Sequence, residues 1–255
     1  MSLKKSLLTK VAKSKLSKKI RNILNIKPSF DLVDYNTKNI SVSDAFFWRT
    51  DNEFETIFKF SNILKFYYGE KDKNIEIIFF DKNNKFLKNE TLNANLVNEI
   101  LIDKNYFDNL ESYGVFYVFH KPEHYFDGII RNSCYTGYSY KKSLPSFVHG
   151  NTIAAEFNYN LEKIEYNLGG FSLFKNNTYI VQNQFDNKRT EIMLINTTKI
   201  TLNVLINESR YKLKSGNSII VDIGKKKLIK IKSNCYLLRP IIFCYDNAFL
   251  DVHHG

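Results

Sequence analysis

ETIFKFSN at residues 55–62, IEIIFF at 75–80, KFLKNETL at 85–92, LVNEILI at 96–102 and YGVFYVFH at 113–120 decide the fold class of this chain. Each is a short run of branched and aromatic residues closed by Asn, Asp, Ser or Lys, the pattern of a strand bounded by turn formers. The same succession recurs as TEIMLINT at 190–197, ITLNVLI at 200–206, RYKL at 210–213, SIIVDI at 218–223, LIKIKS at 228–233 and CYLLRPIIFCY at 235–245. Turn stands against turn: Asp81-Lys82-Asn83-Asn84 corresponds to Asn207-Glu208-Ser209, and Asn93-Ala94-Asn95 to Lys214-Ser215-Gly216-Asn217. Such residues favour tight reversals for conformational reasons. Two copies of one β unit follow. Alternation of apolar and polar positions within the runs predicts antiparallel layers packed face to face. The expected fold is therefore all-β: two tandem β-sandwich, immunoglobulin-like units at 45–121 and 185–255. A long irregular Tyr/Gly/Asn-rich connector at 122–184 joins them, and a basic amphipathic helix lies within residues 1–30.

The net charge of +11 over 255 residues suggests a polyanion partner until it is located. Nine of the 37 basic residues and none of the acids lie in the first 30 positions, which leaves 28 bases against 26 acids, or +2, for the rest. A body so close to neutrality makes no general claim on nucleic acid, and none is expected there. In the basic segment Leu7, Leu8, Val11, Ala12, Leu16, Ile20, Ile23 and Leu24 recur three and four apart, one face of a helix ending before Pro28. A helix of this kind suits an anionic membrane surface, with Lys4, Lys5, Lys10, Lys13, Lys18 and Lys19 as the contacts. No apolar run resembles a signal peptide or a membrane span. Cys134, Cys235 and Cys244 form no C-x-x-C pair, which argues against a disulfide scaffold or a thiolate zinc site. The expected location is cytoplasmic, peripheral at a membrane surface.

The chain has no Walker A pattern, no Gly-rich dinucleotide loop and no G-x-S-x-G, so candidate chemistry comes from side-chain clusters. His120 and His124 lie in HKPEH, His149 in SFVHGN, and His253 and His254 in DVHHG. If HKPEH and DVHHG follow equivalent strands, the five histidines converge. With Glu123, Asp127 or Asp251 they would hold a divalent transition metal, as in a hydrolase or lyase. The second constellation is Arg131, Tyr135, Tyr138, Tyr140 and Asn151, with Lys141 and Lys142 nearby. Tyrosine rings stack on sugars while Arg and amide groups bond hydroxyls, which points to a glycan or other polar ligand. Cys134 and His149 could form a thiolate–imidazole pair. The third is Trp48-Arg49-Thr50-Asp51 with Glu53 and Glu55, where an Arg–carboxylate pair against an aromatic face would lock the first strand. The leading expectation is a non-enzymatic tandem β-sandwich protein without a cofactor, its central connector holding a glycan or similar polar ligand. A metal-dependent hydrolase and a membrane-surface scaffold are the alternatives.

Overall fold

The computed structural model describes residues 11, 14–24, 40–62, 64–69, 72–93, 97–123, 129–131, 134–183, 185, 188–225, 227–247 and 249–255. Among them the chain is nearly all β. In chain order the strands are β1 Ile40–Asp44, β2 Phe46–Arg49, β3 Phe54–Ser61, β4 Asp72–Asp81, β5 Phe86–Leu92, β6 Val97–Ile102, β7 Tyr113–Pro122, β8 Ile129–Arg131, β9 Cys134–Tyr140 and β10 Ser146–His149. They continue as β11 Ile153–Asn158, β12 Lys163–Tyr166, β13 Asn177–Gln182, β14 Arg189–Ile195, β15 Leu202–Ile206, β16 Ser209–Leu213, β17 Ser218–Asp222, β18 Leu228–Ser233, β19 Ile241–Tyr245 and β20 Leu250–His254.

Five four-stranded sheets result. Sheet 1 has the order β10-β9-β3-β6, sheet 2 β2-β7-β4-β5, sheet 3 β12-β11-β1-β8, sheet 4 β20-β19-β14-β17 and sheet 5 β13-β18-β15-β16. Sheets 1 and 4 share one strand order, and so do sheets 2 and 5. By this pairing β14 stands for β3, β18 for β7 and β20 for β10. HKPEH at the end of β7 and DVHHG in β20 are therefore not equivalent, contrary to the alignment expected from sequence. The last apolar run of the second half, β19, has its counterpart in β9 and not in β7, because β9 and β10 complete the first half beyond HKPEH.

Among the described residues three large cores separate the sheets, and a small fourth cluster of Ile40, Val42 and Leu168 lies at sheet 3. Phe58, Phe60, Ile75, Ile77, Phe79, Phe116 and Val118 fill the space between sheets 1 and 2. Ile192, Leu194, Leu202, Val204, Ile229, Ile231 and Ile242 do the same between sheets 4 and 5. The third core draws Val115, Tyr117 and Phe119 from sheet 2, Ala155 and Phe157 from sheet 3, and Met193, Ile241, Phe243 and Tyr245 from sheet 4. Sheets 2 and 4 are thus covered on both faces. This explains why β7, β14 and β19 are buried along almost their whole length and read as unbroken apolar runs. Strands with one face toward solvent alternate, as β3 and β15 do.

Residues 122–184 are not an irregular connector. Strand β9 pairs with β3 over Phe54–Phe60 and carries β10 beside it, so both complete sheet 1. Strands β8, β11 and β12 join β1 in sheet 3, and β13 is an edge of sheet 5. Tyr and Thr are β-formers, and their polarity disguised a strand as a loop. Where β1 leaves β7 for sheet 3, Ser43 and Ser41 replace the missing ladder carbonyls. Their Oγ atoms accept from the Val118 and His120 backbone amides at 2.8 and 3.0 Å.

The amphipathic helix expected to run up to Pro28 is not supported as such. An α-helix, α1, covers Lys15–Leu24, and its start is set by Ser14, whose Oγ accepts from the Ser17 amide at 3.2 Å. Leu16, Ile20 and Leu24 on it are exposed. Lys4, Lys5, Lys10 and Lys13 of the expected membrane contact lie outside the described residues. Among the described residues no helix is long and apolar enough to cross a membrane, and nothing supports a membrane-surface partner.

Arg49 joins the halves of the molecule. Its side chain is fully buried, with Nε and Nη2 donating to the two Asp51 oxygens at 3.0 Å each and Nη1 donating to Glu191 Oε2 at 3.0 Å. The guanidinium lies 3.7 Å from the Phe54 ring centre and 4.7 Å from that of Phe243. The expected Arg–carboxylate pair is present, and β14 supplies a second carboxylate from far along the chain. Burial opposes the charge, but the two carboxylates outweigh it and raise the Arg49 pKa. Removing the cation strands buried carboxylates, so Arg49→Met should lower unfolding free energy by about 3–5 kcal/mol, read by urea denaturation. Glu191→Met added to it should recover part of that loss.

Candidate functional site

The four described histidines do not converge on one point. His120 is buried on β7, pointing with Phe116 and Val118 toward sheet 1. His124 lies outside the described residues, as does Asp127. His149 is exposed on β10, and His253 Nδ1 is 2.7 Å from Asp251 Oδ2. Among the described residues His149 and His254 meet: strands β10 and β20 run side by side, and His254 Nε2 donates to the His149 carbonyl at 3.1 Å. Ser146 Oγ accepts from the Val252 amide at 2.9 Å along the same seam. Among the described residues no group of three or more His, Cys, Asp or Glu side chains could hold a metal ion.

The tyrosine constellation is also divided, because strand geometry sends alternate residues to opposite faces. Tyr138 is fully buried, its hydroxyl donating to the Phe47 carbonyl at 3.1 Å and its ring 4.9 Å from that of Phe243. Tyr140 packs on Tyr245 and Phe54 at 4.7 and 5.0 Å between ring centres. Asn151 is buried, and its Nδ2 donates to the Arg239 carbonyl at 2.8 Å. Arg131 forms a two-pronged ion pair with Asp44, Nε to Oδ1 at 3.1 Å and Nη2 to Oδ2 at 3.0 Å. Tyr138, Tyr140 and Asn151 thus build the junction between the sheets, not a ligand site. Cys134 shares the inward face with Tyr138, and burial pushes its thiol pKa well up. His149 lies on the outward face, so the thiolate–imidazole pair is absent.

Tyr135 is the exposed aromatic of that set, and it belongs to a different arrangement. Cross-strand partners on the outer face of sheet 1 form two parallel rows over β6, β3, β9 and β10. One is Glu99, Lys59, Tyr135 and His149; the next is Leu101, Ile57, Gly137 and Phe147. Directly opposed side chains in such rows sit about 4.5–5.5 Å apart at Cβ and interact. The first row carries charge and hydrogen-bonding capacity: Lys59 Nζ is 2.8 Å from Glu99 Oε2, and the Tyr135 and His149 rings lie 4.6 Å apart. The second row is apolar and open. Phe147 and Leu101 retain 39% and 51% of their accessible surface, and Tyr135 in the neighbouring row retains 45%. Gly137 permits it, because a Cβ there would come within 2.5 Å of the Phe147 ring that lies across it. Sequence reasoning missed Ile57, Lys59, Leu101 and Phe147. The clue was Ile57, an apolar residue on the otherwise charged face of ETIFKFSN.

No family model matches the chain, and no curated protein matches it. Among solved structures it is similar to the Ruminococcus gnavus beta-glucuronidase, at 10% identity over 88% of this chain and 36% of that one, with a TM-score of 0.18. A glycosyl hydrolase family 2 member from Bacteroides cellulosilyticus DSM 14838 aligns at 8% identity over 82% of this chain and 27% of that one, TM-score 0.15. The chain spans about a third of the length of these structures, and at such TM-scores the likeness carries no argument about fold or ligand.

The β10–β20 seam titrates. Burial first, and the charge of Arg239 second, lower the His254 pKa from 6.5 to about 4. The unfolded chain therefore binds a proton there that the folded chain refuses, and stability rises with pH across this window. The contribution is complete above 6.5 and is lost as pH falls toward 4. Thermal unfolding midpoints should drop between pH 7 and pH 4.5, on the scale of these values, and drop less in His254→Gln.

Proposed function

We propose that this chain is a tandem β-sandwich protein that binds a glycan through the outer face of sheet 1. The observation that carries the proposal is the adjacency of the two rows. A pyranose ring offers an apolar C–H face and a rim of hydroxyls. The Leu101–Ile57–Gly137–Phe147 row supplies a flat apolar strip for the first, while Glu99, Lys59, Tyr135 and His149 supply donors and acceptors for the second. Exposed aromatic and aliphatic groups gathered with polar neighbours are unusual on a solvated sheet, and such patches are interaction sites. The four strands are already paired, so binding costs little ordering. The matching strand orders of sheets 1 and 4 and of sheets 2 and 5 support reading the two sandwiches as a duplicated, immunoglobulin-like unit.

The site differs from the connector expected at first: Tyr135 is retained, and Phe147, Ile57 and Lys59 replace the buried tyrosines. A glycan array followed by isothermal titration tests it. Tyr135→Ala and Phe147→Ala should each weaken binding by about tenfold or more, a tenfold change being about 1.4 kcal/mol, while leaving the thermal midpoint unchanged because both rings are exposed. Gly137→Val should weaken binding by displacing Phe147. Silence across the array, or equal affinity in all three variants, counts against the reading.

A further inference from the structure

Sheet 5 carries the other open face of the molecule, and its chemistry is different. Its four strands, NTYIVQ, LNVLI, SRYKL and LIKIKS, contain no Asp or Glu. Lys230 and Lys232 of β18 and Arg210 and Lys212 of β16 lie on the positions that alternate with the buried core residues Ile229, Ile231 and Leu213. Three of these four cations line one groove of about 820 Å³, bounded by Arg210, Lys212, Lys232, Asn203, Asn234 and the exposed Leu173. Leu205 pairs with Arg210 on one side and Lys232 on the other, so those two cations sit in one row, two strands apart. That is about 9–10 Å at the backbone.

Elsewhere on the surface, sheet cations are matched by carboxylates. Lys59 faces Glu99, Lys88 faces Glu90, Lys121 faces Glu76, Arg131 faces Asp44 and Arg189 faces Asp222. Among the described residues Arg210, Lys212, Lys230 and Lys232 form no such pair. Like charges on adjacent strands repel, and a groove that concentrates them with no internal counter-charge has a field that only an external anion neutralises.

We propose that this groove binds an acidic polysaccharide segment, one bearing carboxylate or sulfate groups at regular intervals. The spacing of Lys232 and Arg210 is on the scale of charges on alternate residues of an extended acidic chain, and the side-chain amides of Asn203 and Asn234 suit the intervening hydroxyls. Single-stranded nucleic acid is the less suitable polyanion, since its sites depend on aromatic platforms for the bases, and Tyr211 is the single aromatic residue at the groove and is half-buried. This site is independent of the face proposed on sheet 1.

The test uses the full chain with four probes: an oligogalacturonate, a heparin-derived oligosaccharide, a neutral dextran oligomer and a single-stranded RNA oligonucleotide. Binding is measured by titration at low and at physiological salt. The acidic oligosaccharides should bind, weaken as salt rises, and lose at least about tenfold in affinity in an Arg210→Ala/Lys232→Ala variant. That variant should keep its thermal midpoint, since neither side chain is in the core. Tyr135→Ala should leave acidic binding unchanged. The proposal is overturned if neither acidic probe binds at low salt, or if the double variant binds as well as the parent, which would assign the affinity to the basic N-terminal segment. RNA binding as tightly as the acidic glycans overturns it as well, and so does dextran binding as tightly when that binding is lost in the double variant and kept in Tyr135→Ala.

Discussion

A buried cation is tolerated only when it is paired and hydrogen-bonded, and the arrangement of this molecule follows from how Arg49 meets that condition. Asp51 comes from the same strand end and Glu191 from β14; Phe54 and Phe243, one from each half, flank the guanidinium. The Asp51 contact depends on a tight reversal in which Asn52 and Glu53 both adopt positive φ and the Phe54 amide donates to the Asp51 carbonyl at 2.9 Å. This two-residue turn folds β3 back against β2 and brings Asp51 and Phe54 to bear on Arg49 together. The pairing is satisfied only when sheet 4 is seated on sheets 1 and 2. It therefore specifies the relative position of the two halves more than it adds raw stability.

That seating decides which surfaces are left for function. Sheets 2 and 4 are consumed as the two inner layers, and sheet 3 fills part of the gap between them. Sheets 1 and 5 remain open on their outer sides. Although the two halves share a strand order, they expose non-equivalent sheets, and the exposed faces have diverged in composition. One carries Tyr135, Phe147 and Ile57 beside a compensated Lys59–Glu99 pair. The other carries Arg210, Lys212, Lys230 and Lys232 without a carboxylate. Paired frameworks thus expose two faces of different composition.

Much of the β framework was legible. Branched and aromatic runs marked most strands, and Asp81–Asn84, Asn207 and Gly216 marked the turns that connect them. Arg49 with Asp51 was legible too, because the two are adjacent in sequence. Glu191 was not, since nothing local points to a partner from the other half of the chain. Reading β9 as a loop cost more. A strand places Tyr135 and Tyr138, three residues apart, on opposite faces, and recognising CYTGYSY as a strand would have divided that constellation at once. The net charge of +2 for the body hid the cationic face, because a sum over all residues averages paired cations elsewhere with unpaired ones on sheet 5. The histidines misled because β9 and β10 lie beyond HKPEH in the first half, so HKPEH and DVHHG do not follow equivalent strands.

Because Arg49 ties β2 to β14, the inner sheets of the two halves are expected to open together. Native-state hydrogen exchange on the intact protein tests it most directly. The account predicts that the backbone amides of β7, β14 and β19 exchange slowest and share a single opening free energy, and that this free energy falls for all three strands together in Arg49→Met. Exchange of β14 and β19 through a lower-energy opening that leaves β7 protected would contradict it.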